Sequence, residues 1–228
     1  MRIHVLLAPA GPLPGGSGVT AVVVDVLRAT STLTAALANG AARVIEAATV
    51  DEGFAVRDRN PGSLLCGERD GRIVAGFDLG NSPFEYPRER VAGRTLVFAS
   101  TNGSQALRLA AGAKRRVLAA FVNLAAVAER VRGAREIAIV CAGKLGRFAL
   151  EDAACAGLLV RRLRAHGGEP HGAAAALAER IAPSDPGSVR ALVEGAAHAL
   201  YLRSLGAEFA RDVAFCARLD AIDQAFEV

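Results

Sequence analysis

Val22-Val23-Val24-Asp25-Val26-Leu27-Arg28-Ala29-Thr30-Ser31-Thr32 carries an apolar run straight into a carboxylate, a guanidinium and three hydroxyls. A run of this kind is a β-strand covered on both faces, as parallel sheets require, and Asp25 then stands at its carboxyl edge, where α/β proteins place their ligands. A helix follows over 30–39. Thr30, Ser31 and Thr32 fall at its amino end, where hydroxyls cap and where free N–H groups favour an anion. Arg28 adds a planar fork suited to phosphate or sulfonate oxygens. An ordinary strand, loop and well-capped helix would read the same way, so this stretch decides the fold before it decides any chemistry.

The alternation continues outward from it. Short apolar runs predict strands over 2–7, 19–25, 43–47, 63–66, 95–100, 115–119 and 136–141. Helical spacing predicts helices over 30–39, 50–59, 102–112, 123–132, 151–166, 173–182 and 186–204, with Gly40 and Gly112 as C-caps. Strand and helix in turn imply parallel strands joined by crossover helices. The expected architecture is a three-layer α/β/α fold, its sheet largely parallel or mixed, in a single domain over 1–228, with two small lobes as the alternative. The last third is rich in Ala and Arg and reads as helical, with a short strand at Val213–Cys216. Residues 67–94, crowded with Gly, Pro and charge, form an irregular insertion of the kind that often carries function.

Composition narrows the classes of function. The 228 residues are 52% hydrophobic and 22% charged, with 27 basic against 23 acidic side chains, as in a globular chain. The arginines are scattered, lysine occurs only at Lys114 and Lys144, and aromatics make up 5%, which speaks against a nucleic-acid-binding stripe. Cys66, Cys141, Cys155 and Cys216 are far apart with no CxxC pair, so neither a zinc site nor a disulfide framework is expected. A reducing, cytoplasmic setting fits them. No run reaches the ~18 apolar residues of a membrane span, and Met1–Leu7 reads as a first strand.

Five polar clusters fall at strand ends or in the insertion. They are Asp25 with Arg28 and Thr30–Thr32, Gly67–Gly71, Phe77–Pro83, Ser100–Ser104, and Cys141–Gly143 leading to Glu151 and Asp152. Each has a plain structural reading: Ser82-Pro83 opens a helix, Asn102-Gly103 turns the chain, and Glu151-Asp152 complements a helix dipole. On one parallel sheet, however, the strand ends at 25, 66, 100 and 141 share an edge. Asp25, Glu68 and Asp78 then converge with amide, hydroxyl and guanidinium groups, and oxygen ligands without paired histidines suit magnesium. Helix-start amides and Arg28 suit a small phosphorylated substrate.

The runs around Asp25–Thr32, Gly67-Glu68-Arg69, Gly76–Pro83, Ser100–Gly103, Cys141-Ala142-Gly143, Leu150-Glu151-Asp152 and Asp212–Cys216, in this order, resemble the 2-phosphosulfolactate phosphatases, the ComB family. The resemblance implies a magnesium-dependent phosphohydrolase that converts 2-phosphosulfolactate to sulfolactate on the route to coenzyme M. It places Asp25, Arg28, Glu68, Asp78, Asn81, Thr101 and Asn102 in the site. We accordingly expect Asp25, Arg28, Glu68 and Asn102 to be catalytic, and Asp25, Glu68 and Asp78 to hold magnesium. Thr30, Ser31, Thr32, Asn81, Ser82, Ser100, Thr101 and Gly103 are expected to bind substrate. The chain departs from the family pattern at Gly172, where an acidic residue is expected, and around His198. The expected partner is a small anionic phosphate ester, not nucleic acid or membrane, with a homodimer left open.

Three other readings stand beside this one. A phosphoaspartyl route would use Asp25, but the second aspartate of haloacid-dehalogenase phosphatases is replaced by Leu27. Cys141 and Arg147 have the spacing of a cysteine-phosphatase loop, which cradles phosphate and lowers a thiol pKa, although Val140 stands where histidine is usual. A non-catalytic anion-binding protein would keep the same pocket.

Overall fold

The computed structural model describes residues 1–228. After β1 (Arg2–Leu6), the Val-rich run forms β2 (Thr20–Val24), buried at every residue because both of its faces are covered. Then come α1 (Ala29–Ala38), β3 (Arg43–Glu46), α2 (Val50–Arg59), β4 (Leu64–Arg69), β5 (Arg72–Ile73) and α3 (Arg88–Val91). The middle of the chain supplies β6 (Thr95–Ala99), α4 (Gly103–Leu109), β7 (Arg115–Ala119), α5 (Leu124–Val131), β8 (Glu136–Cys141) and α6 (Leu150–Arg164). The last third contributes β9 (Glu169–Pro170), α7 (Ala173–Ile181), α8 (Pro186–Gly195), α9 (Ala197–Leu205), α10 (Ala207–Cys216) and β10 (Phe226–Glu227).

The strands form two sheets, not one. The first has the order β10-β7-β2-β8-β1-β9, parallel except for β10, with Val22 opposite both Val117 and Ile139. The second has the order β3-β6-β4-β5, parallel except for β5. The strand ends at 25 and 141 therefore belong to one sheet, and those at 66 and 100 to the other. The separator is α1, whose sequence Ala-Thr-Ser-Thr-Leu-Thr-Ala-Ala is buried at all eight positions. Small side chains on every face suit a helix enclosed on all sides. Ala29, Leu33 and Ala36 share one core with Val23 and Leu118 of the first sheet and with Leu96 and Phe98 of the second.

The other face of the first sheet carries the main core, where Val22, Val24, Ile137 and Ile139 meet residues of α5 to α10. Helices thus cover both sides of the first sheet, the expected α/β/α layering. On the outer face of the second sheet, Val56 of α2 packs with Leu65, Val97 and Phe77.

Two sequence expectations are corrected in the last third. The helix placed at 186–204 is two helices, because Ala196 between them adopts an extended conformation (φ −65°, ψ 144°). The strand placed at Val213–Cys216 is the end of α10, whose buried Phe209, Val213 and Cys216 recur at helical spacing. The short run Val213-Ala214-Phe215-Cys216 is too brief to separate the two periods by itself. The helix expected at 102–112 is α4 followed by a 3-10 turn at Ala110–Gly112. No helix is long and apolar enough to cross a membrane.

Candidate active site

A narrow polar cavity lies where the carboxyl ends of β2, β4, β6 and β8 face one another across α1. Asp25, Arg28, Glu68, Asn81, Asn102, Lys144 and His198 line it. A larger cavity of 610 Å³, with Arg2, Arg135 and Glu136 in its wall, sits at the opposite end of the first sheet and shares none of these groups.

Asp25 follows directly on β2. Its Oδ1 accepts the Ala29 N–H at 3.1 Å, so the carboxylate itself satisfies an amide at the start of α1. Its Oδ2 faces Gly103, where a Cβ would stand 2.6 Å from that of Ala29 and 2.9 Å from the carboxylate oxygen. Only glycine lets the second sheet approach Asp25 this closely. Burial pushes the Asp25 carboxyl up to about 7; the Ala29 N–H opposes the shift, the Glu68 and Glu151 carboxylates add to it, and Lys144 opposes it.

Arg28 is buried and held at both ends of its fork. Nη1 donates to Asp212 Oδ2 at 2.5 Å, Nη2 donates to the Gly71 carbonyl at 2.5 Å, and the guanidinium lies 5.0 Å over the Phe209 ring. Two bonds leave three of its five N–H donors for other partners. The second oxygen of Asp212 accepts the Ser82 hydroxyl at 2.6 Å. Burial raises the Asp212 carboxyl, while Ser82 and Arg28 oppose it. In the sequence Asp212 stands only within the last family run, and nothing local marks its role.

Glu68 reaches the cavity from β4, which runs past the expected end at 66 to Arg69. Gly67 before it, at φ +133°, passes so close to β6 that a Cβ would stand 1.9 Å from the Ala99 carbonyl oxygen. The Glu68 carboxylate accepts the Thr101 N–H at 2.8 Å and the Gly71 N–H at 2.7 Å, fixing both loops around the cavity. Asn102 Oδ1 accepts the Leu145 N–H at 2.8 Å and ties the second sheet to the loop after β8. Asn81 Oδ1 and Thr101 Oγ1 are buried without a hydrogen-bond partner.

Of the third wall the sequence marked Glu151, but not Lys144 or His198, as a site residue. Lys144 Nζ lies 3.0 Å from His198 Nε2 and 5.5 Å over the Tyr201 ring. His198 Nδ1 is 3.8 Å from Glu151 Oε1. Burial, then Lys144 and Arg28, push the His198 imidazole down to about 3, so it is neutral in ordinary buffers. Burial raises the Glu151 carboxyl; its own N–H and Lys144 oppose that. Lys144 had one available signal, as one of two lysines in the chain and the one directly after a buried strand. Asp152 does more than complement a dipole: it accepts the Val26 and Gly143 N–H groups at 2.8 and 2.9 Å, bracing the ends of β2 and β8 together.

Several residues expected in the site hydrogen-bond the chain's own backbone. Thr30 Oγ1 bonds the carbonyls of Asp25 and Ala119, Ser31 Oγ that of Val26, and Thr32 Oγ1 that of Asn81. Ser100 and Ser104 exchange hydroxyl–amide bonds across the start of α4. Asp78 is exposed and outside the cavity; its Oδ2 accepts the Leu65 N–H at 2.8 Å. The spacing of Cys141 and Arg147 makes no phosphate cradle. Cys141 is fully buried in the main core, and burial, then Asp152 and Cys155, push its thiol well above the usual range. Arg147 is exposed, and its carbonyl closes a tight turn onto the Lys144 N–H at 2.8 Å.

Similarity to known proteins agrees with the motifs. The sequence model of the 2-phosphosulpholactate phosphatase family matches residues 12–228. A probable 2-phosphosulfolactate phosphatase of Thermotoga petrophila is 42% identical over 218 residues, covering 96% of this chain and 91% of the relative. That of Deinococcus radiodurans is 42% identical over 224 residues, 96% and 90% of the two chains. That of Clostridium perfringens is 36% identical over 215 residues, 92% and 86%. A buried polar cavity built from the family's motifs, with a match over nearly the whole length, leaves one assignment: the chain belongs to the 2-phosphosulpholactate phosphatase family and is a phosphoric monoester hydrolase.

Proposed function

We propose that this enzyme hydrolyses 2-phosphosulfolactate to sulfolactate and phosphate, with magnesium as its cofactor. The observation that carries the reading is the meeting of two fixed cations, Arg28 and Lys144, with the carboxylates of Asp25 and Glu68 in one buried cavity. The donor set fits the metal. Asp25, Glu68 and the unpartnered Asn81 Oδ1 are hard oxygens, and no three His, Cys, Asp or Glu side chains gather tightly enough to cage an ion. Magnesium asks for little more, since one or two carboxylates hold it and water and substrate phosphate fill the remaining positions. Bound through Asp25, Glu68 and Asn81, it would supply charge neutralisation at the phosphoryl oxygens.

The chain's own residues do the rest. Arg28, already locked by Asp212 and Gly71, presents its remaining N–H groups without reorganising, which is how fixed donors stabilise charge developing in phosphoryl transfer. Lys144, oriented by neutral His198, offers a second positive charge on the opposite wall. Water adds its oxygen to phosphorus and gives up a proton, the ester P–O bond breaks with its electron pair on the alcohol oxygen, and that oxygen takes up a proton, so that the water's two hydrogens end one on phosphate and one on the alcohol.

Phosphate release from 2-phosphosulfolactate, measured after EDTA treatment and again with magnesium restored, tests the reading. Loss and recovery are expected. Full activity in excess EDTA would overturn the cofactor, and turnover of phospholactate as fast as the sulfonated ester would overturn the substrate.

A further inference from the structure

Arg43, Arg59 and Arg94 are far apart in the sequence, but the fold gathers them. Arg43 opens β3, Arg59 ends α2 and Arg94 directly precedes β6, and all three line an open cleft of 390 Å³. No carboxylate lines that cleft, and none of the three guanidiniums takes part in an ion pair. Two of them are fixed by neutral groups. Arg43 donates to Thr95 Oγ1 and Asn60 Oδ1, both at 3.2 Å, and Arg94 donates to the Gly62 carbonyl from Nε at 2.9 Å and from Nη2 at 2.7 Å. Asn60 also takes two of the last carbonyls of α2, those of Arg57 at 2.9 Å and Val56 at 2.8 Å, so fewer of them are left to repel an anion. Ser63, the most buried residue of the lining at 9% exposed, carries a hydroxyl with no hydrogen-bond partner in the chain.

We propose that this cleft is a second anion site, one that binds a diphosphate group. Three like charges held together without a counter-charge repel one another, and an anion seated among them relieves that cost. A guanidinium fork matches a pair of phosphate oxygens, and a diphosphate, with more oxygens and more charge than a monophosphate, can meet all three forks at once. The bonds to Thr95, Asn60 and Gly62 leave other N–H groups of Arg43 and Arg94 free and already oriented, and the Ser63 hydroxyl adds a donor. No aromatic side chain lines the cleft, so it lacks the stacking platform that a nucleic acid uses. The site is separate from catalysis. It lies at the amino ends of β3, β4 and β6, whereas Glu68 reaches the catalytic cavity from the other end of β4, roughly 16 Å along the strand at about 3.3 Å per residue.

Calorimetric titration of inorganic pyrophosphate into the metal-free protein tests the site, with Arg59→Gln, Arg59→Glu and Arg180→Gln beside the wild type. Arg59 is exposed and forms no side-chain bond, so its variants keep the fold; Arg180 is an exposed, unpaired arginine of α7 that removes the same charge elsewhere. The catalytic cavity also attracts phosphate, so the result is read from the differences between proteins. Arg59→Gln should weaken one equivalent of binding by about tenfold, the worth of a charge-assisted contact, and Arg59→Glu should remove that equivalent. Arg180→Gln should bind as the wild type does. Equal binding by the wild type and Arg59→Glu overturns the site, as does a loss in Arg180→Gln equal to that in Arg59→Gln, which would reflect net charge alone. ADP, titrated in the same way, tells a free diphosphate from one carried by a nucleotide. With no ring in the wall it should bind no tighter than pyrophosphate; ADP bound tenfold tighter, and lost in Arg59→Glu, keeps the site and assigns it to a nucleotide. The binding needs neither turnover nor magnesium, so its failure leaves the phosphatase reading untouched.

Discussion

Asp25→Asn should abolish activity and, without divalent cations, make the protein more stable at pH 8. Asp25 is 5% exposed, and its carboxyl titrates at about 7 in the folded chain against 3.8 when free. Below pH 4 the group is neutral in both states and costs nothing. As pH rises through the interval, the unfolded chain ionises freely, while the folded chain must hold the proton or bury a charge. Stability is therefore lost between pH 4 and 7, up to about 4 kcal/mol for a carboxyl raised from 3.8 to about 7. Asparagine is neutral throughout, and its Oδ1 can still accept the Ala29 N–H. Urea unfolding in EDTA at pH 4.5, 6 and 8 reads the effect. The variant should exceed the wild type by roughly 2–4 kcal/mol at pH 8, and the gap should shrink steadily toward pH 4.5. Magnesium should then stabilise the wild type more than the variant, because a ligand that binds only the folded state adds to its stability. Activity should fall by at least ~100-fold, as for the loss of a metal-holding group. A variant no more stable than the wild type at pH 8, with an unchanged denaturant slope, would refute the placement of a costly buried charge at this position.

The other expectations follow from the same scaffold. Asp212→Ala strands Arg28 as an unpaired buried charge and should cost about 3–5 kcal/mol by urea unfolding, together with kcat; a loss below ~1 kcal/mol would mean the pair is exposed to water. Asp212→Asn, which keeps an acceptor for Arg28, should cost less in both measurements. Iodoacetamide at pH 8 should leave all four cysteines of the native enzyme unmodified by mass spectrometry, because every thiol is buried and burial pushes Cys66 and Cys216 up to about 12; alkylation with loss of activity would restore Cys141 as a candidate nucleophile. Gly103→Ala forces a Cβ against Ala29 and the Asp25 carboxylate, and should cost about 1–3 kcal/mol and most of the activity; a variant with wild-type turnover would show that the two sheets can separate at no cost.

Much of this molecule could be read before its shape was known, but unevenly. The strands were legible because Ala21–Val24, Leu96–Ala99 and Ile137–Val140 are short apolar runs rich in β-branched or aromatic residues, each leading into a polar or glycine-containing segment. Their division between two sheets was not, because pairing is a long-range property and no local pattern says that α1 lies between β2 and β6. Asp25, Glu68, Asn81 and Asn102 were found as polar residues at strand ends or in the irregular insertion. Lys144 and His198 were missed as site residues, while Glu151 was legible in the polar run that follows Cys141-Ala142-Gly143. His198 sits in the middle of a helical pattern where nothing marks one polar residue as facing a cavity, and it meets Lys144 only when α9 folds over the loop after β8. The short run at Val213–Cys216 misled for the opposite reason, since four residues carry a strand and a helical turn equally well.

The hydroxyl-rich motif that first suggested anion binding acts at one remove. A helix enclosed between two sheets has its first turn out of reach of water, so its polar groups need partners from the chain itself. Thr30, Ser31 and Thr32 supply them by donating to the carbonyls of Asp25, Ala119, Val26 and Asn81, and the Asp25 carboxylate takes the Ala29 N–H. Those bonds hold the end of β2, the end of β7 and the Asn81 loop in one fixed arrangement. The cations can then be few, because Arg28 is braced by Asp212 and Gly71 and Lys144 by His198, each within hydrogen-bond reach. Positioning by bonds within the chain is what turns two positive charges and a pair of carboxylates into a site of defined geometry. It also explains why a motif can identify a phosphatase correctly when most of its hydroxyls donate to the protein's own backbone.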